Sequence, residues 1–325
     1  MDKKLSTIAV MTAGGDAPGM NACIRAVVRT ASAHNLDVIG VMNGFEGLIE
    51  GELRPLSPRD VGGILGRGGT ILQTHRSPRF KEAEGQREAL RHINEAGIEA
   101  IVVIGGDGSM RGAHVLSQQG VRVVGIPASI DNDIWGTQLT IGVDTTLNTI
   151  MDAIDKLRDT ASSHNRAFLV ETMGRGSGYL ALMAGIACGA EMVLIPEVNV
   201  TMEEVGKAIE DAYKRGKNHA IIINAEGSSH RTTDLAEALN KMDLGFKTRV
   251  TILGHIQRGG TPSALTRIIA MRMGFKAVET LVGGQSGMMV ALHGREVKLV
   301  SLEDVVTRER SANLDFYEMM RVLAR

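Results

Sequence analysis

The sequence predicts an α/β protein made of two Rossmann-like, three-layer α/β/α domains with parallel-rich sheets. Three observations predict it. Short β-rich runs alternate with helical patterns along almost the whole chain, which implies parallel strands joined by right-handed crossovers. The run Ile101–Ile104 is continuously apolar up to Gly105-Gly106-Asp107-Gly108-Ser109, as in a strand buried on both faces. Glycine is abundant, 39 of 325 residues, without the repeating period of collagen, so it serves as turn punctuation.

Taken in order, the first strand is expected at Thr7–Met11 and runs into the loop Thr12–Asn21 (TAGGDAPGMN). A second is expected at Val38–Met42, a third at Ala100–Ile104 and a fourth at Arg122–Ile126. Val143, Leu147, Ile150, Ile154, Leu157 and Ala161 step by four and three residues, while Asp152, Asp155 and Asp159 fall off that face; the period is that of an amphipathic helix. Further strands are expected at Ala167–Glu171, Met192–Ile195, Ala220–Asn224 and Val250–Leu253. A second α/β unit is expected to start near Val143, with the chain from Gly254 returning to the first. The domain boundaries are set at 1–142 plus about 255–305 and 143–254 plus about 306–325.

Composition excludes several classes. The formal net charge of −1 gives no footprint for nucleic acid or an anionic membrane, and 3% aromatics argue against base-stacking surfaces. No apolar run approaches the roughly 18 residues of a membrane span. Cys23 and Cys188 sit far apart in helical, apolar contexts and read as small hydrophobes in a reducing compartment. A soluble, cytoplasmic protein is expected.

The chemistry collects in loops that follow strands, where open α/β sheets bind ligands. In Gly105–Ser109 the glycines let backbone N–H groups approach a phosphate at the start of a helix, and Asp107 offers a hard oxygen suited to Mg²⁺. The first loop fits neither GxxxxGK[ST] nor GxGxxG, which argues against a P-loop or a nicotinamide dehydrogenase. In Ile126–Asp133 (IPASIDND), Asp131 and Asp133 share one side if the segment is extended, so one carboxylate can take a proton while the other organises a metal. Arg76, Arg166, Arg175, Arg249, His255 and Arg258 lie next to glycine or polar loops, placements that suit bidentate recognition of phosphate.

Together GGDAPGMN, RGGT, IGGDGS, IDND, LRDTASSHNR, TMGRGSG and LGHIQRGG resemble the bacterial ATP-dependent 6-phosphofructokinases, in order and over essentially the whole chain. The resemblance implies a homotetramer of two-domain subunits, with no nucleic-acid or membrane partner, moving the γ-phosphoryl group of MgATP to the 1-hydroxyl of fructose 6-phosphate. It makes the first domain ATP-binding and the second sugar-phosphate-binding. It assigns Asp131 as base, with Ser129, Arg175, Gly15 and Arg76 as further catalytic positions, and Asp107 and Asp133 to Mg²⁺. Gly15, Arg76, Ser77, Gly106, Asp107, Gly108 and Ser109 would bind ATP. Ser129, Ile130, Asp131, Met173, Gly174, Arg175, Glu226, His255, Ile256, Gln257 and Arg258 would bind the sugar phosphate, joined by Arg166 and Arg249 from the neighbouring subunit.

Arg25, Arg29, Arg158, Gly189, Glu191, Arg215, Lys217 and His219 fit an ADP or phosphoenolpyruvate effector site of that family. Pro58 and Gly63 depart from it, with Arg59 or Asp60 as candidate replacements one place along, and Phe45 stands where the family often has Tyr. Gly108 and Ala128 favour ATP over pyrophosphate, since relatives using pyrophosphate carry Asp and Lys there. The alternatives are a pyrophosphate-dependent enzyme or a non-catalytic regulatory paralogue.

Overall fold

The computed structural model describes residues 5–242 and 244–324. Twelve strands are found among them: β1 (Thr7–Ala13), β2 (Asp37–Val41), β3 (Leu53–Leu56), β4 (Ala100–Gly105), β5 (Arg122–Ser129), β6 (Ile141–Gly142), β7 (Arg166–Thr172), β8 (Met192–Leu194), β9 (Ala220–Ala225), β10 (Lys247–Ile252), β11 (Met288–His293) and β12 (Glu296–Ser301). The helices are α1 (Met20–Ala33), α2 (Gly44–Glu50), α3 (Ala83–Glu95), α4 (Asp107–Gln118), α5 (Val143–His164), α6 (Tyr179–Cys188), α7 (Met202–Lys214), α8 (Thr232–Lys241), α9 (Ala264–Val282), α10 (Leu302–Thr307) and α11 (Leu314–Leu323), with 3₁₀ turns at Arg79–Lys81 and Gly254–Arg258.

The chain divides into two compact units, one of residues 1–145 and 258–310 and the other of residues 146–257 and 311–325. The first is built on a sheet in the order β12-β11-β5-β4-β1-β2-β3, with β6 paired to β5. β2-β1-β4-β5-β11 run parallel, and antiparallel β3 and β12 close the edges. β4 is buried along its whole length, as expected of the central strand of a sheet covered on both faces. α1 and α9 pack against each other, while α4 lies on β4 and β5. The second unit has a four-stranded, wholly parallel sheet, β10-β7-β9-β8. Its core joins Ala167, Leu169, Ile222, Val205, Ile209 and Leu235.

The helix read from the period at Val143 is α5, with Val143, Ile150, Ile154 and Ala161 fully buried. β10 starts at Lys247, three residues before the strand expected from sequence. As an edge strand it carries exposed Lys247 and Arg249, charges that guard an open edge and mask the apolar pattern. Among the described residues, no helix is long and apolar enough to cross a membrane. Both cysteines are free and buried, and burial pushes both thiols up.

Candidate active site

In the first unit the sheet order turns outward between β1 and β4: β1 leads on to β2, while β4 leads to β5 on the other side. The loops leaving β1 and β4 diverge there, which is where an open α/β sheet leaves a crevice for ligand. Gly14, with φ +84°, follows β1 directly, and no side chain caps α4 at Gly106. The Ser109 N–H donates to the Gly106 carbonyl at 2.9 Å, which leaves the N–H groups of Asp107 and Gly108 to face an anion at the α4 start.

Ser109 ties the two loops: its hydroxyl donates to the Ala13 carbonyl at 2.9 Å and is buried. Its hydroxyl proton is engaged, and its backbone N–H donates to the Gly106 carbonyl at 2.9 Å, so Ser109 fixes the shape of the turn. Asp107 opens α4 and pairs with Arg111 one turn on, Nε to Oδ2 at 2.9 Å. A Cβ at Gly108 would meet nothing within 4 Å. Packing therefore does not require glycine at this position; what its absence of a side chain does is leave the space open. Ala128 is fully buried in β5.

Arg76 is exposed in the loop before the 3₁₀ turn at Arg79. The Ser77 hydroxyl accepts from Phe80 N at 3.2 Å and hydrogen-bonds Glu46, the largest reason that carboxyl lies below its ordinary range; burial opposes this and Arg79 adds to it. The Phe45 ring is buried 4.3 Å from Phe80, and a Cβ at Gly112 of α4 would collide with it. At Gly15 a Cβ would come within 2.7 Å of the Arg258 guanidinium, whose Nη1 donates to the Asp16 carbonyl at 3.0 Å. Arg258 is thus placed on the first loop.

The loop after β5 departs from the extended geometry considered above. Asn132 adopts φ +51°, so the chain turns between Asp131 and Asp133 and the two-residue period does not apply. Ser129 organises that turn: its hydroxyl accepts from Asp131 N at 3.2 Å and donates to Asp133 Oδ1 at 3.2 Å. Buried Asn132 donates to the Gln138 carbonyl at 3.2 Å and accepts from Thr140 N at 3.1 Å, closing the loop on itself. Ile130 is fully buried, so only its backbone can face a ligand.

In the second unit, Met173-Gly174-Arg175 leaves β7 and Glu226-Gly227 leaves the adjacent β9. Gly174 has φ +144° and Arg175 φ +43°. The Glu226 carboxylate holds this turn, accepting from Gly174 N at 3.3 Å and Arg175 N at 3.0 Å. Glu226 is therefore an organiser of the Arg175 turn as well as an exposed carboxylate. Gln257 is fully buried, with Oε1 on Met173 N at 3.3 Å and Nε2 on the Gly254 carbonyl at 3.0 Å. Its amide braces the loop, while His255 and Ile256 beside it are exposed.

Arg166 and Arg249 lie elsewhere. Arg166 begins β7, and Arg249 is third in β10, paired with Phe168, so both fall in the amino-terminal halves of their strands. At about 3.3 Å per residue, Arg166 Cα is roughly 20 Å along the strand from the Arg175 turn. Register puts both arginines on one face of the sheet.

Of the effector candidates, Arg25 and Arg29 lie on α1 in the first unit and the rest in the second. There buried Glu191 accepts from Lys217 Nζ at 2.8 Å and from Ile221 N at 2.6 Å, and Arg158 bonds the Cys188 carbonyl. Burial holds His219 below its ordinary range; Glu191 pulls the other way, and Arg158 and Lys217 push down. Gly189, φ +61°, caps α6, and Arg215 reaches the Ala324 carbonyl at 3.5 Å. Asp60 is engaged by its own turn, its Oδ2 accepting from Ser57 N at 2.7 Å and from Ser57 Oγ at 2.6 Å.

Sequence reasoning passed over Gly227, which the Arg175 turn requires: a Cβ there would fall 1.5 Å from the Arg175 carbonyl oxygen. Its only signal is adjacency to Glu226.

The phosphofructokinase family pattern matches residues 7–281. The chain is 49% identical to the ATP-dependent 6-phosphofructokinase of Thermotoga neapolitana, over 98% of this chain and 100% of that protein. It is 48% identical to ATP-dependent 6-phosphofructokinase 1 of Thermus thermophilus at equal coverage of both. Among solved structures, the Saccharomyces cerevisiae phosphofructokinase superposes with a TM-score of 0.88 at 38% identity over 93% of this chain, which spans 45% of that longer protein. A pyrophosphate-dependent phosphofructokinase from Marinobacter aquaeolei, 20% identical, shares the fold with a TM-score of 0.85 over 96% of this chain and 86% of its own. With glycine-lined loops diverging from β1 and β4 and this likeness running nearly end to end, the chain belongs to the phosphofructokinase family.

Proposed function

We propose that the chain transfers the γ-phosphoryl group of MgATP to the 1-hydroxyl of fructose 6-phosphate, giving fructose 1,6-bisphosphate and ADP. The observation that carries this reading is the pairing of the uncapped α4 start at Gly106–Ser109 with the Ser129-organised carboxylate turn at Asp131–Asp133, both in the first unit. Near end-to-end identity to enzymes bearing that activity supports it.

The Asp131 carboxylate accepts the proton of the sugar 1-hydroxyl as that oxygen attacks the γ-phosphorus. The bond to the β,γ-bridging oxygen breaks and ADP leaves. Arg76, Gly15 and the N–H groups of the α4 start hold the nucleotide phosphates, and Arg175 stabilises charge on the transferring group; positioning and electrostatics are the main catalytic terms for such a transfer. Asp107 and Asp133 offer the oxygen-only donors that Mg²⁺ prefers, and bound with the nucleotide the ion neutralises phosphate charge. Gly174, Glu226, His255 and Arg258 take the sugar phosphate. Arg166 and Arg249, lying in the amino-terminal halves of β7 and β10, serve the site of a neighbouring subunit, which makes the working form a homo-oligomer, read as a tetramer. We place the enzyme in the cytoplasm. Open space at Gly108 and the short side chain at Ala128 favour ATP as donor.

The test is phosphorylation of fructose 6-phosphate with Mg²⁺, supplying ATP and pyrophosphate in parallel. Turnover with ATP alone is expected. Turnover with pyrophosphate alone would reverse the reading of Gly108 and Ala128, and silence with both would favour a regulatory role.

A further inference from the structure

The loop that carries Asp131 and Asp133 is held by residues far along the chain, and Arg310 is chief among them. Its Nη1 donates to the Thr137 carbonyl at 2.5 Å and to Asn132 Oδ1 at 3.3 Å, and its Nη2 donates to the Gln138 carbonyl at 2.9 Å. One guanidinium thereby joins both ends of the turn at Asn132, whose left-handed backbone needs surrounding contacts to persist. Two residues earlier, Arg308 stacks over the Trp135 ring at 4.5 Å and pairs with Asp304 at 3.0 Å. The end of β11 holds the other side: Gln138 N donates to the Leu292 carbonyl, Leu292 N to Thr137 Oγ1, and His293 Nε2 to the Gly136 carbonyl.

We propose that Arg310 is a positioning residue for phosphoryl transfer, fixing the Asp131–Asp133 turn from the far end of the first unit. This rests on the assignment of Asp131 as base. Arg310 touches no reacting atom; it acts through Asn132, Thr137 and Gln138. A planar fork with several fixed donors is what two carbonyls and an amide oxygen in different directions demand, and an ammonium does not reproduce that geometry.

Trp135 is the single tryptophan of the chain and lies inside the clamped loop, so its emission reports the loop without reference to activity. The experiment compares the full-length protein with Arg310→Ala and Arg310→Lys. Arg310→Ala is expected to lower kcat by at least about 30-fold, with KM for ATP and fructose 6-phosphate within about threefold, and to make Trp135 easier to quench with acrylamide. Guanidinium ion at low millimolar concentration should restore part of the lost kcat, while Arg310→Lys should recover little. A kcat within about twofold of wild type overturns the proposal. So does a loss that tracks a lowered melting temperature and does not respond to guanidinium. If the wild-type chain itself fails to phosphorylate the sugar while Arg310→Ala still loosens Trp135, the clamp stands and the kinase reading falls.

Discussion

Gly227 is the residue at which backbone geometry and chemistry meet most tightly. With 1.5 Å between the Arg175 carbonyl and any Cβ at this position, Gly227→Ala must push the Arg175 turn off the Glu226 carboxylate. Overpacking of this kind costs about 1–3 kcal/mol, so the melting temperature should fall by a few degrees. kcat/KM for fructose 6-phosphate should fall more than about tenfold while KM for ATP changes little, which steady-state kinetics with each substrate varied in turn will show. His219 makes a second prediction. Its folded pKa lies below the unfolded value of 6.5, so above that pH both states are neutral and the residue adds no pH dependence. As pH falls through 6.5 the unfolded chain takes the proton first, and stability drops until the folded pKa is reached. Between pH 7.5 and 5.5 the wild-type melting temperature should therefore fall more than that of His219→Asn. Such single-residue couplings were only partly legible in the sequence: GGDG and IDND announce themselves by composition, but no local signal reveals that the Ser109 proton goes to Ala13 or that Gln257 is a brace.

Elements were legible where burial writes a pattern. β1, β4, β5, β7 and β9 follow apolar runs, and α5 follows its period, because each faces a core on at least one side. β3, β11 and β12 were not, for physical reasons. β3 is a four-residue edge strand with Pro55 in it, tolerated only because an edge strand has N–H groups facing outward. β11 opens on Met288-Met289, residues without β-branching, and draws its stability from pairing with β5 and β12. Helix ends give a further prediction. α7 starts with a full capping box in which Thr201 and Glu204 satisfy each other's backbone N–H groups, at 3.2 and 2.8 Å. Thr201→Ala should cost about 1 kcal/mol of stability by denaturant titration, with catalytic constants unchanged.

At the scale of the whole molecule, Arg166 and Arg249 make the prediction. They lie in the amino-terminal halves of their strands, away from the Arg175 turn, and the proposal that they act in another copy's site is testable. Arg166→Ala should raise KM for fructose 6-phosphate at least about tenfold without moving KM for ATP. Asp131→Ser, which removes the proposed base, should lower kcat by at least about a thousandfold, since a base acts in the transition state. Dissociating and reassembling the two variants together should restore activity above that of either alone, because some mixed sites then receive a sound base and a sound arginine. Absence of complementation would assign Arg166 to its own subunit.

The strand order also bears on how the protein is made. β11 lies beside β5, yet it leaves the ribosome about 160 residues later, after every strand of the second unit. At roughly 5–20 residues per second, the nascent chain carries β5 as an exposed edge for about 8–30 s. β7 to β10, by contrast, emerge in one continuous stretch and can pair as they appear. An unpaired edge on a forming sheet is a template for other chains. Translation that stalls before Met288 therefore leaves a polypeptide with one sheet ready to close and another open to aggregation.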